Sequence, residues 1–293
     1  KSGRTHLQDA APVRLGQGFT AFGLTLDKCR DGLIRAADSL LELGIGGSAV
    51  GTGLNTCRQF PERMAGHLSR LTDMGLRPAP NLQESMQSMR PFAEVSASLR
   101  NLCLELSRIS SDLRLLSSGP RTGLAEIVLP PVAPGSSIMP GKVNPSMLEM
   151  LNMVCFQVIG CDTAVSEAVQ AGQLELNVMM PVIAFNLLFM IRILGNALRE
   201  VRSRCIEGIR ADPARCQSYA EESIGLMTAL SPHLGYAAAS EIVKEAVTRG
   251  ISLVDVIVER GLYPEEELSR LLDPGRMTGP GDCRPDEHED ESE

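Results

Sequence analysis

The sequence contains no tryptophan, and aromatic residues make up only 3% of it. Its core must therefore be built from Leu, Ile, Val, Ala and Met, side chains that suit helices. It also lacks any CxxC pair: eight cysteines are scattered at positions 29, 57, 103, 155, 161, 205, 216 and 283. That spacing offers neither a disulfide framework nor a zinc site, and it fits the reduced thiols of a cytoplasmic protein. A basic patch is missing too, so neither nucleic acid nor an anionic membrane is an expected partner. The formal net charge is −8. Most of it sits in Asp282–Glu293, seven acids against one Arg, a tail expected to be solvated and disordered. The sequence as given opens with neither an initiator Met nor a signal-peptide pattern. The polar opening Lys1–His6 reads like the interior of a loop, so the chain is expected to be a fragment without its natural N-terminus. No apolar run reaches the ~20 residues a membrane span requires. The nearest, Val178–Leu194, is interrupted by Pro181, Asn186 and Arg192 and reads as a fully buried bundle helix.

What the chain does have is helical periodicity. Leu99, Leu102, Cys103, Leu106, Ile109, Leu113 and Leu116 recur at three- and four-residue spacing, and the helix they predict ends near Ser117-Ser118-Gly119-Pro120. Phe19–Leu43, Met147–Val169 and Pro181–Ile206 predict three more long helices, the last apolar on nearly every side. A chain of this size cannot surround several such helices, so burial between copies is expected. The fold class is all-α: an elongated long-helix bundle over 1–208, then a small helical C-terminal domain over 209–281, where Pro and Gly return, and the tail over 282–293. Only Leu124–Leu129 resembles strand, as part of a minor hairpin.

Chemistry concentrates in Gly135–Pro145, GSSIMPGKVNP, which holds two glycines, two prolines, two hydroxyls, one cation and one amide. Such a mixture is either an ordinary surface turn or a loop built for an anion. It leads straight into a helix, with Asn144 suited to the N-cap and Pro145 to the first helical position. Unpaired N–H groups and the positive end of the helix dipole would then face the loop beside Lys142, which favours a carboxylate. A Walker pattern and a GxSxG elbow are both absent. A second polar run, GRTHLQDA over 3–10, precedes a helix starting near Pro12; its lone His6 is either structural or catalytic. Gly44–Gly53 (GIGGSAVGTG) lacks the Lys-Ser/Thr ending of a phosphate cradle and reads as tight turning with close helix approach. Gln173–Asn177 is either a helix connection or a site lining.

These residues carry a resemblance. GSSIMPGKVNP is similar to the signature loop of the fumarase/aspartase superfamily, and GRTHLQDA resembles its second active-site segment. GTGLN, LLSSGPR, GQLELNVM and MTGPG extend the likeness in order over residues 1 to about 281. The wording of 113–127, 156–179 and 256–262 most resembles the aspartate ammonia-lyase branch, although Met180 stands where aspartases often place Glu. The resemblance implies a homotetramer with active sites shared between subunits, a small dicarboxylate substrate, and reversible anti-elimination of ammonia from L-aspartate to fumarate. The alternative is a fumarate hydratase making L-malate. It also implies roles: Ser136 as general base, Ser137, Lys142, Asn144 and Thr5 binding substrate carboxylates, and His6 assisting. Glu149 would orient His6 from a neighbouring chain. These residues call for no metal and no organic cofactor. The superfamily's first active-site segment would lie upstream of GRTH, so this chain alone is expected to be inactive.

Overall fold

The computed structural model describes residues 1–279 of the chain. The acidic tail expected over 282–293, with Cys283 in it, lies outside the described residues. Along the chain the elements are β1 (Ser2–Thr5), β2 (Gln8–Pro12), α1 (Leu15–Asp38), β3 (Glu42–Leu43), α2 (Phe60–Thr72), β4 (Arg77–Pro78), α3 (Leu82–Gln87), α4 (Arg90–Leu116), β5 (Ile127–Val128), α5 (Ser146–Gln170), α6 (Met180–Arg204), β6 (Arg210–Ala211), α7 (Pro213–Glu222), α8 (Ser231–Leu234), α9 (Tyr236–Arg249), α10 (Leu253–Glu259) and α11 (Glu265–Leu271). The fold is all-α, a long-helix bundle in which the strands among the described residues form three two-stranded ladders. The described residues gather into two compact units, one of 1–21, 118–128 and 210–279, the other of 22–117 and 129–209.

The larger unit is built on α4, α5 and α6, with α5 packed against both of the others. Aliphatic spacing explains the packing. Val95, Leu99, Cys103, Leu106, Ile109 and Leu113 form the buried stripe of α4, and Leu148, Leu151, Cys155, Val158 and Val165 that of α5. Helix α6 buries Ile183, Leu187, Met190, Leu194, Ala197 and Val201. Each Val, Leu, Ile or Met among them contributes about 1.5–3 kcal/mol of burial. Polar groups set the register. Ser96 Oγ donates to Asp162 Oδ1 at 2.5 Å, and Ser110 Oγ to the Leu148 carbonyl at 2.8 Å, so α4 and α5 run antiparallel. Arg100 completes the Asp162 site at 3.1 Å. Helices α5 and α6 are each long and apolar enough to cross a bilayer by composition, and here their inner faces line the bundle.

Between α5 and α6, Gln173–Asn177 is a helix connection built on Asn177. Its side chain is fully buried, donates to the Ala168 and Val169 carbonyls at 3.1 and 3.0 Å, and accepts the Met179 N–H at 2.8 Å. One amide thus closes α5 and opens α6. The Gly44–Gly53 segment makes close approaches of its own. A Cβ on Gly51, whose φ is +85°, would meet Gln83 Cα at 2.4 Å, and one on Gly44 would meet Ser85 Oγ at 2.5 Å.

Several expectations need correction. Helix α1 ends at Asp38, five residues before Leu43; a short 3-10 turn follows, and Glu42–Leu43 pairs in parallel with Arg77–Pro78. Helix α6 does not overturn the expected burial between copies: within this chain Phe185, Leu188 and Ile191 are exposed on one of its faces, covered by none of the described residues. Ile127–Val128 forms no local hairpin; it pairs antiparallel with Arg210–Ala211, chain-distant residues that sequence proximity could not indicate.

The smaller unit holds α7, which packs on β1, and α8–α11 around Leu226, Leu230, Ile242, Val256, Ile257 and Leu268. Helix α10 opens on a complete capping box, Ser252 with Asp255. The polar run GRTHLQDA, whose residues up to His6 read above as the interior of a loop, is instead a β-hairpin: Thr5 pairs with Gln8 and Arg4 with Asp9, leaving His6 and Leu7 as a two-residue turn. Both turn residues have positive φ, 54° and 60°. A type I′ turn demands that backbone and normally uses Asn-Gly. Leu7 is 70% exposed, so its side chain offers little packing in return for the left-handed conformation, which costs roughly 1–2 kcal/mol. Leu7→Gly should therefore raise stability by about 0.5–1 kcal/mol after the extra freedom of glycine in the unfolded chain is deducted. The urea midpoint measures this, and an unchanged or lower value would show that the turn carries no strain.

Candidate active site

The segment 135–145 is held shut at its neck. Gly135 N–H donates to the Lys142 carbonyl at 2.8 Å, and Asn144 Nδ2 donates to the Gly135 carbonyl at 3.1 Å. A Cβ on Gly135 would stand 2.7 Å from Lys142 O and 2.8 Å from Asn144 Oδ1, so only glycine fits there. At the far end, Met139–Lys142 makes a tight turn: Lys142 N–H reaches Met139 O at 3.3 Å and Gly141 has φ +78°. Pro followed by a left-handed Gly is what a type II turn requires at its two central positions. The turn sets Lys142 on the wall of an open hollow of about 450 Å³, lined also by Pro131, Pro134, Ser136, Met139 and Val143.

Ser136 shares that hollow, and its Oγ accepts two backbone N–H groups, from Ile138 at 3.2 Å and Met139 at 3.1 Å. An oxygen so placed is electrostatically prepared to carry negative charge, because both dipoles already point at it. Ser137 is exposed beside it. The expected helix start is off by one residue. Pro145, not Asn144, occupies the N-cap, since the Asn144 amide is engaged in closing the loop, and α5 begins at Ser146. No side chain caps that end, which leaves first-turn N–H groups to solvent or an anion.

Glu149 lies in the first turn of α5, where a carboxylate complements the helix dipole. In this chain its partner is Arg114 of α4, with Nη2 3.6 Å from Oε1. Both side chains are about 40% exposed, so the pair is worth at most about 1 kcal/mol. Below it, Asn152 Nδ2 donates to Ser107 Oγ at 2.8 Å and to the Ser107 carbonyl at 3.2 Å. This polar seam ties the start of α5 to α4. Ser136, Ser137, Lys142, Asn144 and Glu149 all belong to the bundle unit. Thr5 and His6 belong to the other, at the exposed tip of the hairpin.

Sequence reasoning missed Arg114 and the two amides on Ser136. The first directly precedes LLSSGPR, on the polar side of the α4 stripe. The second follows from the Ser-x-x pattern, in which a serine hydroxyl accepts an N–H two or three residues on.

Comparison with known proteins adds the following. Residues 1–160 match the family model described as lyase, and residues 226–279 match the one described as fumarase C C-terminus. The aspartate ammonia-lyase of Bacillus subtilis (strain 168) is 47% identical over 281 residues, covering 96% of this chain and 59% of that protein. The aspartate ammonia-lyase of Pseudomonas aeruginosa is 46% identical over the same share of each. The chain thus spans about three fifths of the length of these curated relatives. Among solved structures, a fumarate lyase:delta crystallin from Brucella melitensis superposes with a TM-score of 0.92 at 46% identity, over 96% of this chain and 61% of that one. A class II fumarase from Schistosoma mansoni gives 0.91 at 36% identity, over 94% and 61%.

Proposed function

The chain belongs to the lyase family whose model it matches over residues 1–160, and from that premise we propose that the whole protein is an aspartate ammonia-lyase. It would eliminate ammonia reversibly from L-aspartate to give fumarate. The observation that carries this reading is Ser136 Oγ, which accepts two amide N–H groups on the wall it shares with Lys142. Identity of 46–47% to the curated aspartate ammonia-lyases supports the substrate.

The hard step is removal of a proton from a carbon next to a carboxylate, which generates a doubly charged aci-carboxylate. Catalysis must stabilise charge where it develops. Ser136 takes the proton as an alkoxide. A serine hydroxyl ionises only with help, and the Ile138 and Met139 amides together with the Lys142 charge supply it. Ser137 donates to one substrate carboxylate. Lys142 and Asn144, with Thr5 and His6, hold the other, and Glu149 of another subunit orients His6. Helix α5 contributes its uncapped first turn. Lys142→Ala removes a point charge used for binding, so KM for L-aspartate should rise about tenfold or more while kcat changes less. Initial rates across substrate concentration test this, and an unchanged KM would remove Lys142 from carboxylate binding.

The exposed apolar face of α6, Phe185, Leu188 and Ile191, with Met153 and Phe156 of α5, supports a homotetramer whose helices meet along these faces. With this reading go a cytoplasmic location, a bundle domain over 1–208 and a small helical domain over 209–281. A second reading, fumarate hydratase, is favoured by the likeness to the class II fumarase. Following fumarate absorbance with the whole protein on L-aspartate and on L-malate separates the two. Turnover of malate alone would replace the first reading by the second, and turnover of neither would remove both.

A further inference from the structure

Glu126 is a carboxylate with no exposed surface, and it lies outside every segment given a chemical role above. Two cations from the β1 end of the hairpin reach it. Arg4 Nη1 donates to Oε1 at 2.7 Å, and Lys1 Nζ stands 3.2 Å from Oε2. The Lys1 contact is an ion pair without hydrogen-bond alignment, and Oε2 has no hydrogen-bond partner among the described residues. The Arg4 guanidinium also lies 5.2 Å over the ring of Tyr219, whose hydroxyl donates to the Gly123 carbonyl at 3.4 Å. A buried ion pair is a poor device for stability, because desolvation consumes most of the attraction. Its best-attested use is to select one arrangement over others.

What it selects here is the placement of one strand. Arg4 directly precedes Thr5 and His6, and the turn they enter is strained at His6 and Leu7. Strained backbone persists only where its surroundings hold it. The other strand is fixed differently: the Ala10 carbonyl packs so closely on Gly225 that a Cβ there would stand 2.2 Å away. On β1 itself, at the end away from the turn, Ser2 Oγ meets Ser223 Oγ at 3.1 Å. We propose that Glu126 is a positioning residue for substrate capture: through Arg4 and Lys1 it fixes the strand that delivers Thr5 and His6 to the substrate carboxylate. The proposal rests on the role given to those two residues under the proposed function.

The test compares three variants of the whole protein in steady-state kinetics with L-aspartate. Glu126→Gln keeps the shape and removes the charge; KM should rise about tenfold with kcat within about threefold of the parent, the signature of lost binding rather than lost chemistry. The combined variant Lys1→Met, Arg4→Met, Glu126→Leu replaces the ion cluster by apolar side chains. Its urea midpoint should equal or exceed the parent's, while KM stays raised about tenfold, which a purely stabilising role would not produce. This variant also carries the test if Glu126→Gln fails to fold. Thr5→Ala is the control for the underlying reading. Should Thr5→Ala raise KM while both Glu126 variants leave it at the parent value, the positioning role is overturned. Should Thr5→Ala itself leave KM unchanged, the carboxylate role of the hairpin is wrong, and the proposal falls with it.

Discussion

Replacing Ser136 with Ala in the whole protein should lower kcat for L-aspartate by about 10²–10⁴-fold, the range a positioned general base contributes. Binding of the substrate and the solution mass should stay as they are. Ser136 sits on a loop outside the helical core, half-exposed, so losing one hydroxyl creates no cavity. The Ile138 and Met139 N–H groups that it occupies are on exposed residues and turn to water in its absence. The neck hydrogen bonds from Gly135 and Asn144 do not involve the side chain, so the loop keeps its closure. What disappears is the one oxygen towards which both amides point. Single-turnover measurements with L-aspartate check the chemical step directly. A variant retaining more than a few per cent of the parent rate would dismiss Ser136 as the base.

Asn177→Ala should cost the chain about 3–5 kcal/mol of stability, the largest loss expected from any single polar side chain described above. Three hydrogen bonds go at once, and each leaves a backbone group behind: the Ala168 and Val169 carbonyls and the Met179 N–H. An unsatisfied buried group costs about 1–3 kcal/mol, and the Asn177 site admits no solvent as built. Asn177→Asp should not rescue it. A carboxylate still accepts from Met179, but it cannot donate to two carbonyls and it buries a charge beside them. Urea unfolding followed by circular dichroism measures the difference. A loss under about 1 kcal/mol would mean that water replaces the amide between α5 and α6.

The long helices were legible because their spacing is a local property. Leu99, Cys103, Leu106, Ile109 and Leu113 mark the inner stripe of α4 whatever lies opposite, and the ends of α4, α5 and α6 fall within a residue or two of the Ser117, Met147 and Pro181 boundaries read from the sequence. The loop over 135–145 was legible for the same reason, since Pro140 and Gly141 dictate their turn and Gly135 its close approach. The N-cap slipped by one because Asn144 had two uses and the tertiary one won. The hairpin of residues 2–12 was not legible. Its strands hold Gly3, Arg4, Asp9 and Ala10 rather than β-branched residues, and its turn is His-Leu rather than Asn-Gly. Long-range partners such as Glu126, Ser223 and Gly225 hold it, and their nearness to β1 and β2 is a product of the fold. Glu126 was hidden for the same reason, a charge inside an apolar run whose partners lie more than a hundred residues away.

Cys103 of α4 and Cys155 of α5 are both fully buried along the seam between their helices. A hydrogen bond to Cys155 and burial push the Cys103 thiol well above its ordinary pKa, so it stays protonated and unreactive while the helices remain together. Cys57, by contrast, lies in the open. The bundle therefore carries its own clock: an alkylating reagent marks Cys57 at once, and marks Cys103 only as often as α4 and α5 part. The rate of that second labelling reads out how frequently the innermost seam of the protein breathes, with no residue changed.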